Sequence, residues 1–317
     1  MSSEDDLPNE SLQVGIDQAQ SGAPAGGTAT RDRFSASEIF QRIVASAEQE
    51  VEDTHAELFY SGIAAGFGIT ITLLGYTVVS AMVGDAGGLA RLVKPVLYPI
   101  GFVIIVIGHY QLYTENTLPP VTLVLTRLSS IPALFRVWGL VLLGNVVGVG
   151  IGAFVLANTA VLSPAEAAVA EQFATEAMHV SWWGVFFKGV FAGWLVGGLV
   201  WVDHGTRDTV GRIVITYLLI YLIPVVGLFH IITSIGDALF LFFRGGAALV
   251  PLVWEFLLPV FLGNTLGGVV LVGVLNYAHT GEHISGADDA AEEELSLQEW
   301  VFGGLVGRWR VMFENEE

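Results

Sequence analysis

Six apolar runs, each long enough to cross a lipid bilayer, constrain what this chain of 317 residues can fold into. About 20 predominantly apolar residues cross the hydrocarbon core as a helix, because no water is present there to satisfy exposed backbone groups. Four of the runs are continuous, and two are interrupted by polar residues or proline. We therefore predict an all-α membrane protein with six spans, at residues 58–83, a broken segment ending at 125, 137–156, 183–202, 213–243 (also broken) and 256–276.

The charge of the chain is concentrated outside these runs. There are 31 acidic and 13 basic residues, which give a formal net charge of −18, and there is no cysteine. An acidic excess of this size is typical of surfaces in a high-salt cytoplasm and predicts a halophilic, haloarchaeal source. The excess argues against nucleic-acid binding, which needs a basic footprint, and the lack of cysteine excludes disulfides and thiolate chemistry.

We divide the chain into four parts. Residues 1–34 are predicted to be a disordered acidic tail, and residues 35–56 an amphipathic cytoplasmic helix that begins with the capping-box spacing Ser35-x-x-Glu38. Residues 57–280 are predicted to form one six-span membrane domain. Residues 281–317 form an acidic cytoplasmic tail, with a surface helix predicted to carry Trp300, Leu305 and Trp309.

Basic residues set the predicted orientation. If the N-terminus lies in the cytoplasm, nine of the 13 basic residues are cytoplasmic, three are outside and one, Lys188, lies within a span. Cytoplasmic loops of membrane proteins carry such an excess of Lys and Arg. We therefore predict a multi-pass protein of the cytoplasmic membrane with both termini inside, and on the outer side we expect Arg244 to pair with Asp237.

The two halves of the chain repeat each other. Residues 61–66 of span one are similar to residues 188–193 of span four, Gly144-Asn145 of span three corresponds to Gly263-Asn264 of span six, and spans two and five are both broken. Because each half has three spans, the two halves have opposite orientations in the membrane. Inverted repeats of this kind place a transport site at their interface, where helices are discontinuous.

Polar residues at the two breaks indicate where that site lies. Residues 108–120 of span two hold a carboxylate, amides and hydroxyls and end in Pro119-Pro120. Irregular backbone at membrane depth is tolerated where protein buries it or where it lines a watery cavity. In span five, His230 is the only side chain between Arg212 and Asp237 that can be charged near neutral pH, and such groups inside a membrane usually mark a pathway.

Together these motifs resemble the formate/nitrite transporter family. The resemblance rests on the loop at 111–117 (QLYTENT), on the paired Gly-Asn motifs, on Lys188-Gly189 and on the histidine of span five, and it covers roughly residues 55–280. It implies an aquaporin-like protomer in a homopentamer, each protomer having its own pore for a small monovalent anion such as formate, nitrite or hydrosulfide. It implies no cofactor, and because the sequence shows no metal-ligand spacing and no nucleophile–base set, we predict no metal site and no catalytic residue.

The resemblance assigns roles to individual residues of the pore. The constriction on the cytoplasmic side is matched by Leu112, Tyr113 and Ile223, although Ile223 stands where the family has an aromatic residue. The residues that match those contacting or attracting the solute are Thr114, Lys188 and His230.

His230 is expected to share a proton with the passing anion. A bare anion is costly to desolvate in an apolar pore, and histidine changes its charge near neutral pH. A structural alternative is a neutral His230 bonded to backbone that the broken helix has freed. For Lys188, the alternative to attracting the anion is snorkelling to the membrane interface.

This chain departs from the family at three positions near the pore. Gln111 stands where the family loop usually has Glu, Glu115 follows Thr114 where a small residue is usual, and Phe229 precedes the histidine where formate channels carry Glu. A carboxylate beside the constriction would repel an anion unless it is paired, protonated or turned away. We predict that Glu115 accepts backbone N–H bonds across the loop, and that the broken backbone is also tied together by Gln111, Asn116, Asn145 and Asn264.

Two other functions remain open from the sequence. If Glu115 faces the lumen, the chain would suit a pore for neutral solutes or cations. If Tyr113 packs the gate shut, the chain would suit a non-conducting membrane scaffold.

Overall fold

The structure of the chain, a computed structural model, describes residues 34–84, 87–284 and 294–304. The predicted N-terminal tail therefore lies outside the described residues except for Phe34, and so do Leu305 and Trp309 of the C-terminal tail. In the described part, all regular structure is helical. The helices are α1 (Ala36–Glu52), α2 (His55–Val83), α3 (Ile100–Gly108), α4 (Pro119–Leu125), α5 (Ile131–Asn158), α6 (Pro164–Met178), α7 (Trp182–His204), α8 (Thr209–Val226), α9 (Ile231–Phe243), α10 (Leu249 to Ile284) and α11 (Leu297–Phe302).

The six predicted spans are confirmed. Six helical segments of the described residues are long and apolar enough to cross a membrane: α2, Gly87–Gly108 (which ends in α3), α5, α7, α8 and Leu249–Thr280 of α10. Two of them begin six or seven residues earlier than predicted, at Ile131 and Leu249. The bundle has two ends, which we call the α1 face and the α6 face after the helices that cover them.

Arg136 explains why the third span could begin early. Ser130 caps the N-terminus of α5 through a bond from the Ala133 amide to Ser130 Oγ (3.3 Å). The Arg136 side chain, inside the first turns, donates to the carbonyls of Val51 (2.5 Å) and Asp53 (3.1 Å) at the end of α1. Since both terminal nitrogens of the guanidinium are bonded to protein carbonyls, the cation does not end the helix.

Helix α1 follows the predicted amphipathic pattern. Ser35 Oγ accepts the Glu38 amide N–H, and the Glu38 carboxylate accepts that of Ser35 (2.6 Å), so both halves of the capping box are present. The face buried against the bundle includes Phe40, Ile43 and Ala47, none of which has exposed surface. The helix thus lies against the end of the spans and covers the α1 face.

Glycine residues let two pairs of helices, α2 with α5 and α7 with α10, pack with their backbones in direct contact. A Cβ atom on Gly66 of α2 would lie 2.6 Å from the Asn145 carbonyl oxygen of α5. In the second half, a Cβ on Gly193 of α7 would lie 2.2 Å from the Asn264 carbonyl oxygen of α10. Small residues serve this purpose in membrane helices. The same contact in both halves supports the inverted repeat.

Helix α6 covers the opposite face. Its first turn has a capping box in which the Ser163 amide donates to Glu166 (2.7 Å). Arg244, at the end of α9, binds Glu171 of α6 (2.5 Å), so the predicted pairing with Asp237 is wrong. Asp237 instead lines a cavity beneath α6, which Arg244 does not line.

The short helix α11 docks beside the second broken half of span two. The Trp300 indole N–H donates to the Val124 carbonyl (2.7 Å) near the end of α4. Ser130 Oγ donates to the Gly304 carbonyl (2.8 Å), and the Leu295 amide donates to the Arg127 carbonyl (3.0 Å). The tail residues 294–304 therefore hold the loop between α4 and α5.

Candidate functional site

The break in span two is an ordered loop held by Asn145. Helix α3 ends at His109, whose φ of 54° is left-handed. Asn145 Oδ1 then accepts the Tyr113 amide N–H (2.9 Å), while its Nδ2 donates to the carbonyls of Gln111 (2.9 Å) and Gly62 (2.9 Å). One amide side chain thus satisfies loop backbone groups that no helix serves.

The break in span five is held in the same way by Asn264. Helix α8 ends at Gly227, which is also left-handed (φ 79°). Asn264 Oδ1 accepts the Ile231 amide N–H (2.8 Å), and its Nδ2 donates to the carbonyls of Phe229 (2.9 Å) and Gly189 (2.8 Å). The three bonds match those of Asn145 one for one, as expected of two copies of one motif.

Thr114 and His230 bring the two breaks together. Thr114 Oγ1 and His230 Nε2 lie 2.7 Å apart, and the side chains are 0% and 1% exposed. His230 also caps α9, because its Nδ1 accepts the Thr233 amide N–H (3.4 Å). A neutral imidazole carries one proton, so an accepting Nδ1 places that proton on Nε2, which donates to Thr114 Oγ1. The hydroxyl proton of Thr114 is then free for another acceptor.

Two cavities approach this pair from opposite ends and share no lining residue. We call them the α6 vestibule, of about 280 Å³, and the α1 vestibule, of about 570 Å³. His230 lines the α6 vestibule, and Glu115, the residue after Thr114, lines the α1 vestibule. The Thr114–His230 bond therefore lies in the closed section that separates them.

The three residues predicted to form the constriction belong to this closed section. Leu112, Tyr113 and Ile223 are each at most 1% exposed, and none lines either vestibule. The Tyr113 ring stacks on Phe261 (centroids 5.3 Å apart) and meets Trp138 edge-on (5.7 Å). Its hydroxyl lies 2.8 Å from Thr265 Oγ1. Tyr113 is thus packed between α5 and α10, so its ring is held in place.

The α6 vestibule contains a cation beside the central histidine. Lys188 lines it together with His230, and the Lys188 Nζ atom lies 5.1 Å from the centroid of the Phe229 ring. Phe229 occupies the position where formate channels carry Glu, so here the lysine faces a ring instead of a carboxylate. The carboxylates of Glu176 and Asp237 line the same cavity.

The α1 vestibule is rich in carboxylates. Glu50, Asp53, Glu115 and Asp203 line it. Glu50 lies on α1, outside the spans, where burial and secondarily the charge of Asp53 raise the pKa of its carboxyl to about 8. This carboxyl therefore holds a proton at neutral pH.

Three loop residues do not tie the broken backbone together through their side chains, as was predicted. Glu115 Oε1 is buried without a partner, and no backbone N–H of the described residues binds this carboxylate, so the predicted loop-bridging role is wrong. The side chain faces the vestibule instead. Gln111 and Asn116 do support the loop, but through their backbone: the Gln111 amide donates to Ser61 Oγ (2.9 Å), and the Asn116 carbonyl accepts the Trp138 indole N–H (2.8 Å).

Several residues of the site have no signal in the sequence. Glu50 and Asp203 come from α1 and α7, and Trp138 and Phe102 read as ordinary apolar residues of spans. Phe102 nevertheless meets the His230 ring edge-on (4.9 Å). Only the fold brings these side chains to the loop. Among the described residues no group of three His, Asp or Glu side chains could hold a metal ion.

The sequence is similar to that of known membrane proteins. The sequence pattern of the family described as Formate/nitrite transporter matches residues 37–278. The chain is 28% identical to the inner membrane protein YfdC of Escherichia coli (strain K12) over 78% of this chain and 79% of that protein. It is 23% identical to the formate channel BtFdhC of Bacillus thuringiensis, over 76% of this chain and 93% of the relative.

Solved structures share the fold. A pentameric formate channel with formate bound aligns with a TM-score of 0.61 at 22% identity, over 71% of this chain and 97% of that one. An ion channel of the FNT family aligns with a TM-score of 0.69 at 19% identity, over 77% and 99%. With a family pattern that covers most of its length and an aquaporin-like fold of six spans, the chain belongs to the formate/nitrite transporter family.

Proposed function

We propose that the chain is a channel or transporter for small monovalent anions such as formate, nitrite or hydrosulfide, with Thr114 and His230 at the centre of its pore. The observation that carries the proposal is the 2.7 Å bond between these two side chains in the closed section between two vestibules. Family membership supports the same substrate class.

The central pair can replace some of the hydrogen bonds that an anion loses when it leaves water. An anion that leaves water loses its hydrogen bonds, which is costly in an apolar section. His230 Nε2–H donates to Thr114 Oγ1, and the Thr114 hydroxyl can donate onward to the anion. A bond to a charged acceptor is stronger than one between neutral groups, so this two-step chain stabilises the anion and lets it share a proton.

Full proton transfer to the anion requires the imidazolium form of His230. In that form Nδ1 also carries a proton, and its bond from the Thr233 amide is lost. The Nε2 proton then moves to Thr114 Oγ1 as the hydroxyl proton moves to the anion, which leaves neutral imidazole and a neutral acid. Loss of the helix cap costs about 1 kcal/mol; forming imidazolium at this buried position has its own desolvation cost, which attraction to the neighbouring anion offsets.

Two further features favour anions at the α6 end. Lys188 supplies a positive charge close to Phe229 and the central histidine, in a vestibule that Glu176 and Asp237 also line. Helix α9 begins at Ile231, directly after His230, and helix N-termini carry partial positive charge. Both act where the solute enters or leaves the central pair.

We assign the α1 face to the cytoplasm, with both termini inside, because the topology predicted from the sequence puts nine basic residues on the cytoplasmic side and three on the other. The protein then lies in the cytoplasmic membrane, surrounded by lipid, as a homopentamer in which each protomer has its own pore. The pentameric state of the aligned formate channel supports this assembly, and the acidic excess supports a halophilic source.

Reconstitution in proteoliposomes at high salt tests the proposal. Formate, nitrite, acetate and hydrosulfide are supplied in turn to wild type, Thr114→Val and Thr114→Ser. Wild type should conduct, the valine variant should lose most of its flux because the donor is gone, and the serine variant should retain it. Absence of flux for every anion would contradict the proposal, and equal flux in wild type and Thr114→Val would remove Thr114 from the mechanism.

A second candidate is a pore for cations or neutral solutes in which Glu115 faces the lumen. The observation that favours it is the position of Glu115 on the α1 vestibule, beside Glu50 and Asp203. The sign of the current under opposed salt gradients separates the two functions, and a cation current that Glu115→Gln abolishes would establish the second. A non-conducting scaffold, closed by the packing around Tyr113, predicts no flux of any solute.

A further inference from the structure

Four side chains on the α1 vestibule leave polar atoms without hydrogen-bond partners. These atoms are Glu50 Oε2, Glu115 Oε1, Asp203 Oδ1 and Asn116 Nδ2, all of them buried and none hydrogen-bonded in the described residues. Asp203 Oδ1 has a cation near it, Arg212 Nε at 3.7 Å, but at a distance too long for a hydrogen bond. Asn116 is only 2% exposed. All four residues line the same cavity, and we call them the acid–amide site.

The site combines acceptors with one donor. Three carboxylate oxygens can accept a proton or a hydrogen bond, whereas the Asn116 amide N–H can only donate. Buried polar atoms are normally hydrogen-bonded, and several unpartnered ones at one place need an explanation. An occupant that satisfies all of them must bring at least one acidic hydrogen and one acceptor oxygen or sulfur.

The charges around the site oppose a bare anion. The carboxyl groups of Asp203 and Glu50 lie close enough to Glu115 that, when ionised, they repel a negative charge on it. The ionisable residues that line the vestibule are Arg42, Glu50 and Asp53 of α1 and its end, His109, Tyr110 and Glu115 of the loop, Asp203 and His204 of α7, and Arg212 of α8.

The two guanidinium groups of the vestibule are already engaged. Arg42 lies over the Phe34 ring (4.4 Å), and Arg212 lies 3.7 Å from Asp203. Since like charges at one buried place cannot all ionise, the cluster retains protons. The raised pKa of Glu50, about 8, agrees with this.

Glu115 is also next to the central pair. It directly follows Thr114 in the chain and begins the 3-10 turn Glu115–Thr117. The Leu112 carbonyl accepts the amide N–H of both Glu115 (3.0 Å) and Asn116 (3.1 Å). A solute that passes from Thr114 through the closed section toward the α1 face therefore meets Glu115 and Asn116 where the α1 vestibule begins.

We propose that the acid–amide site binds the solute together with a proton, so that Glu115 and Asn116 select weak acids over the anions of strong acids. The inference rests on the proposed function. For formate, the proton on a Glu115 oxygen moves to a formate oxygen: the Glu115 O–H bond breaks, the formic acid O–H bond forms, and the carboxylate is left on Glu115. The carbonyl oxygen of the acid accepts from Asn116 Nδ2. Nitrate and chloride, whose conjugate acids are strong, cannot take the proton; they keep their charge beside the carboxylates of the cluster that remain ionised.

The test compares formate and nitrate flux into proteoliposomes at equal pH on both sides, so that protein orientation does not matter. Glu115→Gln keeps the shape and removes the ionisable group, Glu115→Asp restores a carboxylate, and Glu48→Gln removes an exposed carboxylate of α1 that does not line the cavity. Glu115→Gln should lower the formate-to-nitrate flux ratio by at least about tenfold, the smallest effect expected of a charge within a few ångströms. Glu115→Asp should recover most of the ratio, and Glu48→Gln should leave it unchanged.

The outcomes separate this inference from the proposed function. A conducting Glu115→Gln protein whose ratio stays within twofold of wild type overturns the inference alone, as does a wild type that passes nitrate as fast as formate. A wild type that passes no anion overturns the proposed function and the inference with it. If Glu115→Gln gives no intact oligomer, Asn116→Leu takes its place: reduced formate flux at unchanged nitrate flux supports the inference, and unchanged formate flux overturns it.

Discussion

Replacing Asn145 with leucine should destabilise the protein strongly, because one side chain holds the broken backbone of span two. Leucine has a similar volume and no hydrogen-bonding group. The change removes three bonds, to the Tyr113 amide and to the carbonyls of Gln111 and Gly62. At about 0.6 kcal/mol for an average bond inside a membrane protein, the three contribute about 2 kcal/mol.

The upper limit comes from the groups that lose their partner. The Tyr113 amide and the Gln111 carbonyl lie in irregular backbone, and each buried unsatisfied group costs about 1–3 kcal/mol, so the total reaches about 6 kcal/mol. The mirror change Asn264→Leu removes the equivalent three bonds. It should therefore cost a similar amount.

Thermal unfolding in detergent measures the effect. A loss of 2 kcal/mol or more should lower Tm by at least about 4 °C, at about 2–4 °C per kcal/mol for a large domain. Asn158→Leu is the matched control, because Asn158 is exposed and bonds only to a carbonyl of its own helix, that of Phe154. Shifts for Asn145→Leu and Asn264→Leu no larger than that of the control would refute the assignment of these asparagines as ties of the broken backbone.

Three further predictions concern the packing of helix α7 on α10, the docked helix α11 and the α1 vestibule. Gly193→Ala should lower the free energy of unfolding by about 1–3 kcal/mol or more, since the added Cβ would lie 2.2 Å from a backbone oxygen of α10. The control Gly198→Ala has open space around it and should be near neutral in the same unfolding assay. Trp300→Phe should reduce the stability of the protein by about 1 kcal/mol, because it removes the indole hydrogen bond to α4. Hydrogen exchange of the loop between α4 and α5 should become faster, and unchanged exchange would argue against a docked tail. Burial raises the pKa of Glu50 from 4.5 to about 8, so between these pH values the folded state binds a proton that the unfolded state does not, and stability falls as pH rises. Glu50→Gln should make this fall in Tm shallower. The same pH profile of Tm in wild type and variant would contradict the prediction.

The spans and their breaks were predictable because their signals are local. A helix that crosses lipid needs a long apolar run, and the break at Pro119 interrupts such a run with polar residues within the sequence itself. The repeated Gly-Asn pairs of α5 and α10 also pointed to Asn145 and Asn264. The early starts at Ile131 and Leu249 were not predicted. At Ile131 the reason is a tertiary contact, since carbonyls at the end of α1 accept hydrogen bonds from Arg136 within the first turns of α5.

The electrostatic surroundings of the loop were not predictable, because they depend on tertiary contacts. Glu115 was expected to accept backbone bonds, but Asn145 already satisfies the loop, which leaves the carboxylate facing the vestibule. Its neighbours Glu50 and Asp203 come from distant parts of the chain. The ring of Tyr113, likewise, is fixed by Phe261 of α10, which no local pattern associates with it.

The central claim, that the Thr114–His230 pair shares a proton with a passing anion, is tested most directly by the pH dependence of formate flux in wild type and His230→Asn. Asparagine can still donate a hydrogen bond toward Thr114, but it does not titrate. The account predicts that wild-type flux rises as pH falls and that the asparagine variant conducts with an altered pH response. Equal flux and equal pH dependence in the two proteins would contradict it and would leave the histidine as a cap of α9 alone.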